Sequence, residues 1–364
     1  MAGNSTFSWR QNLTLDSTVS PFDSPLPQTH QAFVDVKPVS WARYNVGGLL
    51  VTVYGARELP LDNCEIACLW LLHGRGDTQD SMSFTAAAML GAWNRERKTG
   101  DKRLVCVCFD QRNHGSRMVD NLASVSWKQG NPTHGPDMWT LYTGTAQDVS
   151  FLITNLPAYL PFALAQHIAC GVSLGGHATW HCLMHDPRVT AGIVVIGCPD
   201  YARLMRDRAV RAKLESCMDS DPPGRNFVGS KHFPPSLVRA VEQYDPAGLL
   251  LGELDTVTGE PSEAEKKRLR PILRDTLGGK KIICLSGGKD RLVPYAQGKP
   301  FHDWLARATD EKSGWFNDRG TKFVDILDET GNHEFSRPMR KEAEKWLCEL
   351  LREGSRGNET GSKL

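Results

Sequence analysis

The sequence predicts an α/β protein whose mostly parallel central sheet is covered by helices on both faces. Short apolar runs of strand length alternate with longer amphipathic stretches along most of the 364 residues. The runs are rich in Val, Ile, Leu and Cys at nearly every position, which is typical of strands that are buried on both faces. Strands that alternate with helices are joined by right-handed crossovers, which make the strands parallel.

Seven runs are predicted as strands because each is short, apolar and ends at a turn signal. In chain order they are GGLLVTVYGA, IACLWLLHG, RLVCVCFDQ, HIACGVS, GIVVIGCP, KKIICLSGG and KFVDILDE. Three of the stretches between and after them are predicted as helices, namely SMSFTAAAMLGAWNRERK, DMWTLYTGTAQDVSFLITNL and the closing SRPMRKEAEKWLCELLRE.

The segment 201–277 interrupts this alternation. It is charged, it contains the helical fragments LMRDRAVRAKLESCM and SEAEKKRLRPILRDTL, and it offers no convincing buried strand. We therefore predict one domain made of residues 31–200 and 278–353, with 201–277 as a helical insertion. A lid over the strand ends and a passive surface crossover are both open, because long insertions are thermodynamically cheap. Residues 1–30 are predicted as an N-terminal arm, and 354–364 as a disordered tail.

The strongest functional signal lies in HIACGVSLGGHATW. Here Gly171-Val172-Ser173-Leu174-Gly175 joins a predicted strand to a helix-compatible stretch, which is the G-x-S-x-G pattern of a nucleophile elbow. The glycines are needed because the turn is sharp, and the helix N-terminus that follows favours negative charge. We predict Ser173 as a nucleophile; a glycine-rich turn in a binding protein is the alternative.

Two downstream residues are predicted as the partners of this serine. Asp290 comes directly after the strand in KKIICLSGGKDRLVP, and His333 lies in the turn after the next strand, in KFVDILDETGNHEF. In folds with such an elbow, the acid and then the base follow the serine along the chain. We expect His333 to take the proton of Ser173 and Asp290 to hold the tautomer of His333. Asp200, in IVVIGCPD, is the alternative acid; Asp290 is favoured because it lies one strand before His333.

An acyl-transfer site also needs donors for the oxyanion of its transition state. The backbone N–H of Leu174, directly after the serine, is one predicted donor. The second is expected from the loop His73-Gly74-Arg75-Gly76 after an earlier strand, where Arg75 is the donor predicted by position. A plain glycine-rich strand exit is the alternative, which the downstream elbow makes improbable.

Two further groups of residues allow more than one interpretation. Trp127, His134 and Trp139 in VSWKQGNPTHGPDMW either line an acyl or alcohol pocket or belong to the core. His177, His181 and His185 are spaced i, i+4, i+8 and therefore share one helix face. No Cys or carboxylate completes an obvious closed zinc site around them, so they are predicted as packed histidines. We predict no metal and no cofactor.

The composition excludes several classes of protein. Lys and Arg total 43 and Asp and Glu total 42, so the net charge of +1 gives no field that gathers phosphates, and nucleic acid is not a predicted partner. No run of about 18 apolar residues is present, so no transmembrane segment is predicted. The polar start lacks the apolar core of a signal peptide, and ten cysteines without a CxxC pair then predict a reduced, cytoplasmic protein. The charge balance also favours a substrate that is not strongly ionic, and the sequence makes no prediction of oligomeric state.

Five blocks in one order make the sequence resemble the α/β-hydrolase superfamily: HGRG, DQRNHG, GVSLGG, GGKDRLVP and GNH. The resemblance spans about Leu49 to Glu353 and is closest to the esterase, dienelactone-hydrolase and prolyl-oligopeptidase-like branches. It implies an α/β-hydrolase fold with a lid-like insertion. It also implies that Asp110 and His114 of the second block hold the loop beside the site and do not react.

Together these residues predict a serine hydrolase that cleaves a small-molecule carboxylic ester through an acyl-enzyme. Lactones, thioesters and small amides are substrates compatible with the same residues. A peptidase, a C–C bond hydrolase and an acyltransferase would use the same three side chains. A non-catalytic ligand-binding or scaffold protein is the alternative of another class, because a fold alone does not prove activity. The presence of a nucleophile, an acid, a base and an oxyanion loop argues against that alternative.

Overall fold

The computed structural model of the protein describes residues 19–23, 32–59, 65–252, 261–317 and 320–356. Most of the predicted arm at 1–30 lies outside the described residues, as does 357–364 of the predicted tail. The first three residues of that predicted tail continue the last helix, which ends at Arg356.

A single sheet organises the described part of the chain, and its eight strands have the order β1-β2-β4-β3-β5-β6-β7-β8. The strands are β1 Trp41–Val46, β2 Leu49–Tyr54, β3 Ile66–Leu72, β4 Arg103–Phe109, β5 Gln166–Val172, β6 Val189–Val195, β7 Lys281–Gly287 and β8 Lys322–Asp328. Strand β2 pairs antiparallel with both β1 and β4, and all remaining neighbours are parallel. The prediction of a mostly parallel sheet is therefore confirmed.

The edge strand β1 is the one strand of the described residues that the apolar runs do not predict. Its sequence is WARYNV, which is half polar because an edge strand is partly exposed to solvent. It is joined to β2 by Gly47 and Gly48, whose φ angles are +59° and +88°. A two-residue loop with both φ angles positive suits the twist of an antiparallel hairpin. The GG pair is therefore the available signal for the missed strand.

Helices cover both faces of the sheet. They are α1 Ser83–Glu96, α2 His134–Asn155, α3 Leu174–His185, α4 Tyr201–Arg211, α5 Glu215–Met218, α6 Pro235–Tyr244, α7 Pro246–Leu251, α8 Glu263–Thr276, α9 Tyr295–Thr309 and α10 Arg337–Arg356. On one face α1 packs against α10; on the other face α2 packs against α3, and α9 contributes to the same core. Alternate residues of β3 point into the two cores: Leu69 and Leu71 lie in the first, whereas Trp70 and Leu72 lie in the second.

Three of these helices are not predicted by the sequence, namely α6, α7 and α9. In α9, Gly298 and Pro300 lie inside the helix, and both residue types lower intrinsic helix propensity. Its buried face, which includes Phe301 and Trp304, compensates by packing into the core. Tertiary packing has outweighed local propensity here.

The segment 201–277 contains α4 to α8, and its described residues form no strand. Most of its buried apolar side chains belong to the same core as those of the sheet. None of the helices in the described ranges combines the length and apolar composition that crossing a bilayer requires. The two alternatives for this segment, a moving lid and a passive surface crossover, both stay predictions.

Candidate active site

The tight turn between β5 and α3 carries Ser173. Its φ is 56° and its ψ is −111°, and a positive φ is strained for a residue with a Cβ. The glycines on either side are required by close backbone approach. A Cβ at Gly171 would lie 2.0 Å from the carbonyl oxygen of Gly175, and a Cβ at Gly175 would lie 2.0 Å from that of Leu72. The G-x-S-x-G spacing thus follows from β5, α3 and β3 packing in direct backbone contact.

Three side chains from three chain regions meet above this turn. His333 Nε2 lies 2.9 Å from Ser173 Oγ, and His333 Nδ1 lies 2.8 Å from Asp290 Oδ2. The Asp290 carboxylate is fully buried, whereas the His333 side chain is 24% exposed. The second oxygen of Asp290 accepts hydrogen bonds from the backbone N–H groups of Leu292, at 2.7 Å, and Val293, at 2.9 Å. The structure therefore brings the predicted serine, base and acid together.

The alternative acid Asp200 has a different position. Its Oδ1 accepts a hydrogen bond of 2.9 Å from the backbone N–H of Arg203 and so caps the N-terminus of α4. Asp290 occupies the Nδ1 side of His333, whereas Asp200 acts as a helix cap.

The predicted oxyanion loop lies beside the serine. A Cβ at Gly74 would be 3.9 Å from the Cβ of Ser173, and the N–H of Gly175 donates to the carbonyl of His73 at 3.1 Å. Leu174 is the first residue of α3, where backbone N–H groups have no partner within the helix. The loop and the helix terminus thus border the same space. The donor roles of Arg75 and Leu174 remain predictions.

Buried polar residues hold this loop in place. Burial lowers the pKa of His73 to about 4, so its ring is neutral, and its Nε2 accepts from the backbone N–H of Gln111 at 3.0 Å. Asp110 accepts from the backbone N–H groups of Gln79 and Ser116, both at 2.8 Å. Burial raises the pKa of Asp110, but these hydrogen bonds outweigh it and the net pKa is lowered.

These hydrogen bonds agree with the positioning role that the resemblance implies for Asp110, and that role stays a prediction. His114, the other residue of that block, packs edge-on against His73, and its Nδ1 lies 2.9 Å from the carbonyl oxygen of Arg112. Among the hydrogen bonds of the described residues, none joins Asp110 or His114 to Ser173.

One carboxyl group near the base is not predicted by the sequence. Burial raises the pKa of Asp77 to about 6, although a hydrogen bond from Gly74 and the nearby His333 oppose the shift. Asp77 follows the HGRG block directly, and that position is the only sequence signal for it. A carboxyl group with such a pKa changes charge within the range in which an imidazole also titrates.

A cavity of about 240 Å³ opens between the predicted oxyanion loop, the loop after Asp290 and α4. Trp127 and His134 line it, as one of the two open interpretations expects, whereas Trp139 is packed in the core against aromatic neighbours. Arg208 of α4 also lines the cavity. The sequence does not single it out, because in the fragment LMRDRAVRAK it resembles one more charge on a solvated helix.

The three histidines of α3 have different environments. His177 Nδ1 lies 3.0 Å from the carbonyl oxygen of Cys198, and His185 Nε2 lies 2.8 Å from that of Tyr244. The ring of His181 is buried and packs edge-on against two aromatic side chains of α2. No group of three or more potential ligands that could hold a metal ion is found in the described part of the chain.

Comparison with known proteins gives one family match. The model of a family described as "Alpha/beta hydrolase family" matches residues 71–341. That range includes the elbow, the loop before α1 and both downstream partners. No curated protein matches the chain in sequence.

Solved structures similar to this chain are distant from it in sequence. TT1662 from Thermus thermophilus is 16% identical with a TM-score of 0.52, over 86% of this chain and 99% of that one. Est1E from Butyrivibrio proteoclasticus is 12% identical with a TM-score of 0.40, over 87% and 98% of the two chains. The acylaminoacyl peptidase of Pyrococcus horikoshii is 13% identical with a TM-score of 0.46; the match covers 90% of this chain but 44% of the peptidase. The first of these matches indicates a shared fold, and none of them identifies a substrate.

Proposed function

Because the chain belongs to the alpha/beta hydrolase family, we propose that it is a serine hydrolase that cleaves a carboxylic ester through an acyl-enzyme. Ser173 is the nucleophile, His333 the general base and Asp290 the residue that orients it. Lactones and thioesters present the same electrophilic carbonyl and belong to the same proposal.

One observation carries the proposal: the continuous chain of hydrogen bonds from Ser173 Oγ through His333 to Asp290. Serine is a weak nucleophile at its own pKa and needs an adjacent base, which in turn needs a third group to orient it. The distances along this chain are 2.9 Å and 2.8 Å. Both are within the reach that proton transfer and orientation require. The side chains come from residues 173, 290 and 333, so their convergence is a property of the fold.

In the first half of the reaction Ser173 Oγ attacks the ester carbonyl while His333 Nε2 accepts the hydroxyl proton. The carbonyl oxygen becomes an oxyanion, and the backbone N–H groups of Leu174 and Arg75 donate hydrogen bonds to it. The ester C–O bond then breaks, and the proton on Nε2 passes to the leaving alcohol. Asp290 stays ionised and stabilises the imidazolium.

In the second half a water molecule attacks the acyl-enzyme carbonyl. His333 accepts one proton of that water, the same two N–H groups hold the second oxyanion, and the bond to Ser173 Oγ breaks. The proton on His333 returns to Oγ. The carboxylic acid leaves, and the enzyme is restored.

A fluorophosphonate probe tests the nucleophile directly. We expect covalent labelling of the wild type, and loss of labelling in Ser173→Ala together with a fall in ester hydrolysis of about 10³-fold or more. Ser236→Ala is the matched control, because this serine is exposed on α6 and does not line the neighbouring cavity. Labelling that survives in Ser173→Ala, or that is absent from the wild type, would contradict the proposal.

The kind of bond is tested with one acyl group presented as p-nitrophenyl ester, thioester and p-nitroanilide. We expect the ester to be cleaved fastest. Faster cleavage of the anilide would favour an amidase or peptidase, and product formed only with an added alcohol would favour an acyltransferase. A labelled serine without turnover of any of the three would favour a binding protein.

A further inference from the structure

The cavity beside the candidate active site is lined by several positively charged side chains. Arg75, Arg208, Arg211 and Lys128 all border it, together with Trp127. The net charge of +1 does not indicate this cluster, because a net charge sums acids and bases over the whole chain. A cavity wall that gathers like charges concentrates their field inside it.

Arg208 and Arg75 have no carboxylate partner among the described residues. The Nη2 and Nε groups of Arg208 donate to the Leu292 carbonyl at 3.0 and 3.2 Å, and Nη1 lies beside the sulfur of Met138. Arg75 Nη1 donates to the carbonyl of Ser124 at 3.1 Å. Two partly buried cations therefore border the same cavity and repel each other. Arg211 differs from them, because Asp207 pairs with it.

The electrostatics agree with this geometry. Burial, together with repulsion from Arg75, lowers the pKa of Arg208 to about 10, which still leaves it charged at neutral pH. Burial also lowers the pKa of Arg75. Burial and the two arginines lower the pKa of His134, which lines the same cavity, to about 3, so this histidine adds no charge. An anion in the cavity would relieve the repulsion between the two guanidinium groups.

The cavity adjoins the proposed catalytic residues on two sides. Arg75 belongs to the loop that lies beside Ser173, and Leu292 donates its N–H to the Asp290 carboxylate. A group bound here would thus be part of the molecule that is cleaved. The volume of about 240 Å³ is small for a pocket that encloses a whole drug-sized ligand. The cavity therefore suits one substituent of a substrate and not the whole molecule.

We propose that this cavity selects ester substrates that carry a negatively charged oxyacid group, a carboxylate or a phosphate, bound by Arg208 and Arg75. The inference rests on the proposed function, because it names the substrate class of the same site. It also reverses the expectation of a weakly ionic substrate that the overall charge suggests. Charge-assisted hydrogen bonds to guanidinium groups supply the selectivity.

The kinetic test compares esters that differ only in charge. The p-nitrophenyl half-esters of succinate, glutarate and adipate are paired with the matching ω-amide esters, which have the same shape and no charge. Acetate esters of hydroxybenzoate and hydroxybenzamide place the same contrast on the alcohol side. We expect kcat/KM to favour the anionic member by about 10-fold or more in at least one pair, and the preference to weaken with salt.

Variants assign that preference to Arg208. Arg208→Gln is expected to remove it, and Arg208→Lys to restore part of it. Arg206→Gln, on the same helix but outside the lining of the cavity, should leave the ratio of anionic to neutral turnover unchanged. Arg208 also donates hydrogen bonds to the Leu292 carbonyl. Loss of these bonds would lower kcat/KM equally for the anionic and the neutral ester of a pair. The ratio is therefore the readout, and a ratio near one in every wild-type pair would overturn the inference.

A binding measurement separates this inference from the proposed function. Ser173→Ala is titrated by calorimetry with glutarate, methyl phosphate and the neutral glutaramate methyl ester, with and without Arg208→Gln. We expect an anion to bind about 10-fold more weakly, or worse, in the double variant, with the better anion identifying carboxylate or phosphate as the group. Equal affinity for charged and neutral ligands would contradict the inference even if the serine is labelled. Selective anion binding without labelling or turnover would contradict the proposed function alone.

Discussion

At the residue scale, Asp290 combines two roles in one carboxylate. One oxygen accepts hydrogen bonds from the backbone N–H groups of Leu292 and Val293, which fixes the carboxylate on its loop. The other oxygen lies against His333 Nδ1. Sequence reasoning predicts the proximity of Asp290 and His333 from their places at successive strand ends. It cannot predict which oxygen meets which donor, because that depends on the path of the 290–293 turn.

Asp290→Asn is expected to lower kcat by about 10³- to 10⁴-fold with little change in KM. The amide oxygen would accept the hydrogen bonds from the two backbone N–H groups, so the NH2 group would point at His333 Nδ1. The ring would then carry its proton on Nε2 and could not accept that of Ser173. Steady-state kinetics measure the loss, with Asp200→Asn as control, since asparagine also caps a helix well. Near-normal turnover in Asp290→Asn would remove Asp290 from the proposed mechanism.

Asp77 is expected to make stability depend on pH between about 4 and 6. Its folded-state pKa is about 6 against an ordinary 3.8, so the folded protein holds the proton more tightly and stability falls as pH rises through this window. Asp77→Asn should therefore be more stable than wild type above pH 6, by about 1 to 3 kcal/mol after allowance for partial exposure, and equal to it below pH 4.

Urea unfolding at pH 4 and pH 8 measures this difference. Asp303→Asn, at an exposed pair with Lys299, should change stability by less than about 0.5 kcal/mol at both values. An Asp77→Asn difference that is the same at pH 4 and pH 8 would show that charge is not its cause.

At the element scale, the elbow depends on α3 lying in backbone contact with its neighbours. The carbonyl oxygens of Leu72 and Gly175 are at distances that exclude a methyl group on the facing glycines. The same approach places Ser173 at the N-terminus of α3 and beside the loop that follows β3. The geometry of the candidate site is thus set by how closely a helix and two strands can pack.

Gly175→Ala is expected to destabilise the protein by more than about 3 kcal/mol or to prevent folding. The new methyl group would overlap the Leu72 carbonyl, and neither the backbone of α3 nor that of β3 can move away to make room. The control is Gly91→Ala in α1, where a new Cβ would meet only the end of the Arg95 side chain at 3.4 Å. This variant should be more stable than wild type by about 0.5 to 1 kcal/mol. Thermal unfolding of both variants provides the comparison. A soluble, fully stable Gly175→Ala would contradict this account of the elbow.

At the scale of the whole molecule, the insertion shares its core with the sheet. Phe227, Val241, Leu250 and Leu273 from this segment are fully buried in the cluster that also contains Trp70 of β3. A segment that separates easily from the sheet would expose this surface on every opening. The packing therefore favours an insertion that stays closed over the sheet.

Leu273→Ala in α8 is expected to lower the stability of the whole protein by about 2 to 4 kcal/mol, because it leaves a cavity in a shared core. Fluorescence and circular dichroism should report one coincident unfolding transition. Lys267→Ala, on the exposed face of the same helix, should change stability by less than about 0.5 kcal/mol. A separate early transition in Leu273→Ala would instead indicate an independently opening lid.

The sequence by itself determined the alternation of strands and helices, the parallel sheet and the candidate residues Ser173, Asp290 and His333. These follow from local patterns, because burial of a strand and the sharpness of a turn constrain residue types within a few positions. Only the tertiary structure decided the half-polar edge strand β1, the helices α6, α7 and α9, the buried carboxyl of Asp77 and the place of Arg208 beside the predicted oxyanion loop. Each of these depends on residues distant in sequence: a neighbouring strand, a core that outweighs propensity, or a cavity wall built from separate elements. A net charge of +1 could not reveal two cations that border one cavity, because a sum over the chain contains no distances.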